Sequence, residues 1–306
     1  METHSLAPFL AAFDAERQMA HPRLDRLALL LGGIEAADLA IEPYVDRVEG
    51  LVAQVGERLD PEMTSLEQAW VLLSMLHDEF GFQGNRRNYY DSANSYLHHT
   101  LDSRRGLPIT LSMLYMAVAE PNGLHLTGMG FPGHFMLAIT QSPVTYYIDP
   151  FYRAILAEDE VALHLSDLFQ QPVPLQQPLH VYAVDVDNIL LRALNNLRLL
   201  YLRQQELSLT EHVLSFMTLL APDEPGLWRE RGAIRFKEGH FLAAEGDLRR
   251  YCYLTNQLHE FVNQRPVAHM QPPIINLNPG PKEFSRDDLE LFALVDEIRR
   301  TIARQN

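Results

Sequence analysis

Apolar spacing divides the chain into a helical beginning, a mixed centre and a helical end. Between residues 5 and about 80 the pattern predicts helices. Leu27 to Leu31 form an apolar run that stops at Gly32-Gly33, and Val45, Val48, Leu51, Val52 and Val55 recur at the spacing that turns one helix face to a core. Asp60-Pro61 has the form of a helix start, a cap followed by proline at the first position, and leads into Leu66, Trp70, Leu73 and Leu76. Residues 81 to 106 break the pattern. They are polar, aromatic and turn-rich, with Asn85, Arg86, Arg87, Asn88, Tyr89, Tyr90, Asp91, Asn94 and Ser95 in close succession. A loop of that length is either functional or held by Asn and Asp side chains bonding to nearby backbone.

Pro108 suits the first turn of a helix, where an N–H has no intrahelical partner. Leu111, Leu114, Tyr115 and Val118 then give an apolar stripe, and Pro121-Asn122-Gly123 ends it. Three strand-like runs follow, 124–131, 134–140 and 144–148, separated by Pro132-Gly133 and Gln141-Ser142-Pro143, so an antiparallel meander is expected. Pro172, Pro174 and Pro178 mark a linker. Beyond it, Trp228, Gly232, Phe236, Gly239, Phe241, Ala244 and Leu248 follow the tetratricopeptide (TPR) spacing. Leu194, Arg198, Leu202, Leu207, Thr210 and Leu214 sit one repeat earlier. A proline-rich stretch from Arg265-Pro266 to Pro281 reads as extended, before a last helix capped by Ser285 with Leu289, Phe292, Val295, Ile298 and Ile302 on its apolar face. The expected architecture is α+β: N-terminal helices (1–80), an α+β core with a small antiparallel sheet (81–170), a linker (171–186), TPR-like hairpins (187–262), and an extended segment with a docked helix (263–306).

Composition narrows the function classes. The chain has 306 residues and a formal charge of −15, which argues against a nucleic-acid or membrane-surface binder, since phosphate contact needs clustered Lys and Arg. One cysteine, Cys252, excludes an intrachain disulfide and a multi-cysteine metal site. Its expected role is that of a small buried hydrophobe. No secretory signal and no membrane-spanning run are visible, so a cytoplasmic protein is expected.

The candidate chemistry lies in Arg104-Arg105-Gly106-Leu107-Pro108, Gly133-His134-Phe135 and Ile148-Asp149-Pro150. A loop running into a helix, then one strand with His and another with Asp, resembles the core of the transglutaminase-like (papain-like) superfamily. Together with Asn88-Tyr89-Tyr90-Asp91, Asn94-Ser95 and Gly130-Phe131-Pro132, these segments resemble the bacterial SirB-type family over roughly residues 30 to 260. That resemblance implies a transglutaminase-like domain joined to TPR-like helices, and a regulatory association. It also implies that Pro108 stands where active members of the superfamily keep a cysteine nucleophile, with His134 and Asp149 at the positions of its activating partners. Proline has no nucleophilic atom. Thr110, about 200° round the helix from position 108, should face elsewhere. Ser112 returns to the same face about 6 Å deeper, and as a nucleophile it would need His134 within about 3 Å.

Three readings follow. One is a catalytically silent domain that binds a protein or peptide through a cleft lined by Asn88, Tyr90, Asp91, Arg105, His134 and Asp149. The second is a cysteine-independent hydrolase or amidase, with His134 as general base oriented by Asp149, or with Ser112 attacking. The third is a scaffold whose repeats carry the function. No cofactor is expected. His98 or His99 could complete a metal site with His134 and Asp149 only by folding over them, and no metal is expected.

Overall fold

The computed structural model describes residues 5–60, 62–141, 143–257, 294–295, 297–301 and 303–304. The chain divides into two compact units, residues 1–204 and 205–306.

The first unit opens with the helices α1 (Ala7–Arg17), α2 (Leu24–Leu30), α3 (Glu42–Gly56) and α4 (Ser65–Leu73), the last running into a π-helical turn, Ser74–Glu79. α4 does not start at Asp60. Thr64 and Glu67 close a capping box, the Glu67 N–H reaching Thr64 Oγ1 at 3.3 Å and the Thr64 N–H reaching Glu67 Oε2 at 2.8 Å. A reciprocal cap satisfies two orphan donors, which a lone Asp does not. Pro61 lies outside the described residues.

The expected long loop is only partly irregular. Gln83–Gly84 (β1) pairs in parallel with Arg105–Gly106 (β2), and between them lie a 3-10 turn, Ser92–Ser95, and a helix, α5 (Leu97–Ser103). Asn side chains hold the rest: Asn94 Nδ2 donates to the carbonyl oxygens of Asn88 and Tyr89, and Asn85 Nδ2 donates to Asn94 Oδ1.

α6 (Pro108–Ala119) is the central helix. The stripe read from sequence understates its burial, since residues 108 to 115, Val118 and Ala119 are all buried. The meander follows as β3 (Thr127–Met129), β4 (Met136–Gln141) and β5 (Val144–Asp149). It is extended by β6 (Ala154–Ala157), beyond which α7 (Val161–Phe169) crosses the sheet, and by an edge strand, β7 (Ala183–Val184). The sheet order is β6-β5-β4-β3-β7, antiparallel throughout.

Strand alternation sorts β4 onto two buried faces. Met136 and Ala138 join Val161 and Leu165 of α7 in one cluster, while Leu137 and Ile139 point the other way and are equally buried. α4 and α6 both pack on β4. The expected linker is anchored: Leu179 is fully buried in the α7-side cluster, and β7 caps the sheet edge beside β3. α8 (Val186–Gln204), read from sequence with the repeats, belongs to this first unit.

The second unit contains α9 (Leu207–Leu220), α10 (Pro225–Lys237) and α11 (Phe241–Leu254). Gly232 lets α10 approach α11, since a Cβ there would sit 3.0 Å from the Leu248 side chain, and Gly239 turns the chain with φ +82°. Val295 and Ile298 pack on Ala244, Leu248 and Cys252. The expected extended segment, Ser285, Leu289, Phe292 and Ile302 lie outside the described residues.

Candidate functional site

Pro108 begins α6 from an extended Leu107 (φ −76°, ψ 163°), whose N–H donates to the Asn94 carbonyl oxygen at 3.1 Å. The helix start is thereby tied to the polar 85–95 segment. Pro108 is buried, and so are the hydroxyls of Thr110, Ser112 and Tyr115, none of which has a hydrogen-bond partner among the described residues. Ser112 Oγ therefore makes no bond to His134.

His134 follows a turn that needs glycine. Gly133 has φ +72°, and a Cβ there would fall 2.8 Å from the Phe169 ring. The turn is gripped from α8, where Arg192 Nη2 donates to the carbonyl oxygens of Phe131 (2.7 Å) and His134 (2.8 Å). Gly130 leaves room for that guanidinium, because a Cβ would stand 2.9 Å from Arg192 Nη1.

Asp149 ends β5, is fully buried, and accepts four hydrogen bonds. The N–H groups of Phe151 and Tyr152 reach Oδ1 at 2.9 and 3.0 Å. His134 Nε2 reaches Oδ2 at 2.8 Å and His164 Nε2 reaches the same oxygen at 2.9 Å. An ionised carboxylate only accepts, so Nε2 carries the proton on each ring. In neutral His134 the lone pair is then on Nδ1, which has no partner among the described residues. Burial pushes the Asp149 carboxyl up, but the hydrogen bonds from His134 and His164 outweigh it and hold the group well below the usual carboxylate range.

His164 escaped the sequence reading. It stands three positions after buried Val161 on the same side of the helix, but nothing in the sequence of α7 names its partner. The Tyr152 ring lies against both histidines, 5.7 Å from His134 and 6.0 Å from His164 between centroids. Phe151 meets His134 edge-on at 6.4 Å. Only 5% of His134 is exposed.

The other residues expected to line one cleft are distributed around this buried centre. Tyr90 and Asp91 line a hollow of about 180 Å³ with Leu107, Leu199 and Arg203. Asn88 is occupied locally, donating to Asp91 Oδ2 at 2.9 Å. Arg105 lines a separate pocket of about 570 Å³ with Arg86, Arg87, Tyr152 and Arg153. Phe151 and Tyr152 separate that pocket from His134. A roomier hollow, about 720 Å³, opens among α2, α3 and the end of α6, but its mainly apolar lining includes none of the expected site residues.

His98 and His99 do not fold over the His134–Asp149 pair. They sit at Glu35, whose Oε1 lies 2.6 Å from His99 Nε2 and 3.3 Å from His98 Nε2. Among the described residues, this trio alone brings three His, Cys, Asp or Glu donor atoms within 4.8 Å of one another. Cys252 is buried in the second unit. No described helix is long and apolar enough to cross a membrane.

Comparison with known proteins places the chain in a family. Residues 42–195 match the transglutaminase-like superfamily and residues 197–270 match the tetratricopeptide repeat family. A UPF0162 protein of Xylella fastidiosa (strain 9a5c) is 30% identical over 238 residues, 76% of this chain and 84% of that protein. A segment of 77 residues is 40% identical to F-box only protein 21 of Mus musculus, covering 25% of this chain and 12% of that protein. The crystal structure of menin that reveals the binding site for Mixed Lineage Leukemia (MLL) protein is similar at a TM-score of 0.42 and 10% identity, over 83% of this chain and 71% of that one. The chain belongs to the UPF0162, SirB-type family, in which a transglutaminase-like domain precedes TPR helices.

Proposed function

We propose that this protein is a catalytically silent member of its superfamily, acting as a binding or regulatory module for a protein or peptide. The observation that carries the reading is Pro108 at the first position of α6. The His134–Asp149 pair is kept, but the position from which a thiolate would attack holds a ring with no nucleophilic atom. Asp149, saturated by four hydrogen bonds and shared between two histidines, works as a structural node that fixes the β5–α7 corner. The TPR helices of the second unit supply a further surface of the kind that binds proteins.

The test is turnover. The full-length protein and its His134→Ala variant are incubated with panels of peptide, amide and ester substrates and with serine- and thiol-directed probes. No His134-dependent turnover and no labelling at Ser112 are expected. Hydrolysis abolished in His134→Ala, or labelling lost in Ser112→Ala, would replace the binding module with the cysteine-independent hydrolase.

A further inference from the structure

We infer that the pocket beside Tyr152 binds the carboxylates of an acidic peptide segment, through Arg86, Arg87 and Arg105. The inference rests on the binding-module reading and names the chemistry of the partner.

The pocket is assembled by the short parallel ladder. Pairing Gln83 with Arg105 and Gly84 with Gly106 brings the 85–87 segment alongside Arg105. The Asn85 side chain, bonded to Asn94 Oδ1 and to the Asn88 N–H, fixes the course of the segment that carries Arg86 and Arg87. The lining holds His77, Gln83, Asn85, Arg153 and these three arginines, but no carboxylate.

Elsewhere in the same unit several guanidinium groups are neutralised by carboxylates, although Arg104 rests on the Phe82 ring and Arg192 on backbone carbonyls. Arg17, Arg23, Arg26 and Arg47 each lie within 3 Å of an Asp or Glu oxygen. Arg153, on the pocket rim, is held by Asp78. Among the described residues the three proposed binders lack a carboxylate partner. Arg86 rests over the Tyr152 ring at 4.3 Å. Arg105 Nη1 donates to the neutral Gln83 amide oxygen at 2.7 Å. Arg87 makes no hydrogen bond or ion pair among the described residues.

Three like charges gathered in one pocket repel, and in a chain of net charge −15 nothing in the lining offsets them. An anion does, and guanidinium forks match carboxylates in bidentate geometry. The pocket, at about 570 Å³, exceeds what one small ion fills. Its cations come from two chain segments, which suits a ligand carrying several carboxylates in sequence. The Tyr152 ring links the pocket to His134 and so to the centre of the domain.

The probe is a fluorescent hexaglutamate peptide, titrated into the full-length protein and followed by anisotropy, with inorganic phosphate as competitor. The overall negative charge disfavours an acidic peptide everywhere except at a local basic site. Binding is expected to weaken severalfold as salt rises from about 0.05 M to about 0.3 M. It should fall about tenfold or more in Arg87→Glu, whose side chain supports nothing else, and in Arg105→Glu. Thermal unfolding of each variant checks that the fold is kept. No binding, binding by both variants as tight as by the wild type, or complete displacement by equimolar phosphate would overturn the assignment, the last by showing a site for free anions. Failure here leaves the turnover result untouched, whereas His134-dependent turnover would remove the binding-module reading without altering the peptide isotherm.

Discussion

At the scale of single residues, Asp149 decides how the transglutaminase-like core is held. Removing one partner from a buried charged network costs far more than the net worth of its bonds. Asp149→Asn keeps the shape and the acceptor for the Phe151 and Tyr152 N–H groups, but it removes the charge at which two imidazole N–H groups point. A loss of about 3 kcal/mol at neutral pH is expected, seen as a fall in Tm of roughly 10 °C. The sign with pH follows from the depressed carboxyl. Its stabilisation is complete above the unfolded-state value of about 4 and is lost as pH falls through the lower folded-state value. The gap between wild type and Asp149→Asn should therefore narrow below about pH 4, and a gap of constant size down to about pH 3 would refute the account. Pro108, His134 and Asp149 were legible because each sits in a short segment with its own turn chemistry. His164 was not, because α7 reads as an ordinary apolar helix and only the crossing of that helix over the sheet brings its imidazole to Asp149.

At the scale of elements, sequence periodicity found the structures long enough to show a period. α3, α6 and the β3–β5 meander lie where apolar spacing puts them. β1, β2 and β7 are two residues each, too short for any alternation to appear. α5 hides inside a polar segment, its inward residues including His98 and Thr100. The grip of α8 on the His134 turn was equally invisible, since a lone Arg on a helix gives no hint of the carbonyls it will meet. That grip has a measurable weight. Arg192 is partly buried, offset by two carbonyl oxygens and by the Phe135 ring 5.5 Å away, and burial lowers its pKa. Arg192→Met keeps the aliphatic stem and strands both carbonyls. The expected cost is about 2–3 kcal/mol, read by urea unfolding, with faster amide exchange at Gly133, His134 and Phe135. Exchange unchanged at these amides would mean that the turn holds without α8.

For the molecule as a whole, the negative charge was plain from composition, but its local inversion beside Tyr152 depends on a ladder joining residues 83–84 to 105–106. The repeat region was legible for a different reason: the TPR spacing is a packing code. Gly232 and Leu248 fit that spacing because two helices must touch there, and the structure puts them in contact. What the code leaves out is the polar centre of the second unit. Asp247, 3% exposed, accepts from Arg231 Nε at 2.9 Å and Nη2 at 2.7 Å and from Arg235 Nη1 at 2.9 Å. Arg231 also donates to Thr218 Oγ1 at 2.7 Å, and Arg235 Nε to Glu211 Oε1 at 2.8 Å, so α9, α10 and α11 meet in one ionic network. Substituting Asp247→Ala leaves a buried guanidinium without its counter-charge, which costs about 3–5 kcal/mol. Losses of that size are a large fraction of a small unit's stability. Amide exchange across 207–254 should accelerate in Asp247→Ala, whereas a hydrophobic pair, Arg231→Met with Asp247→Leu, should recover much of the protection because it removes both charges together. If the single and double variants exchange alike, the helices are held by their apolar contacts and the network is incidental.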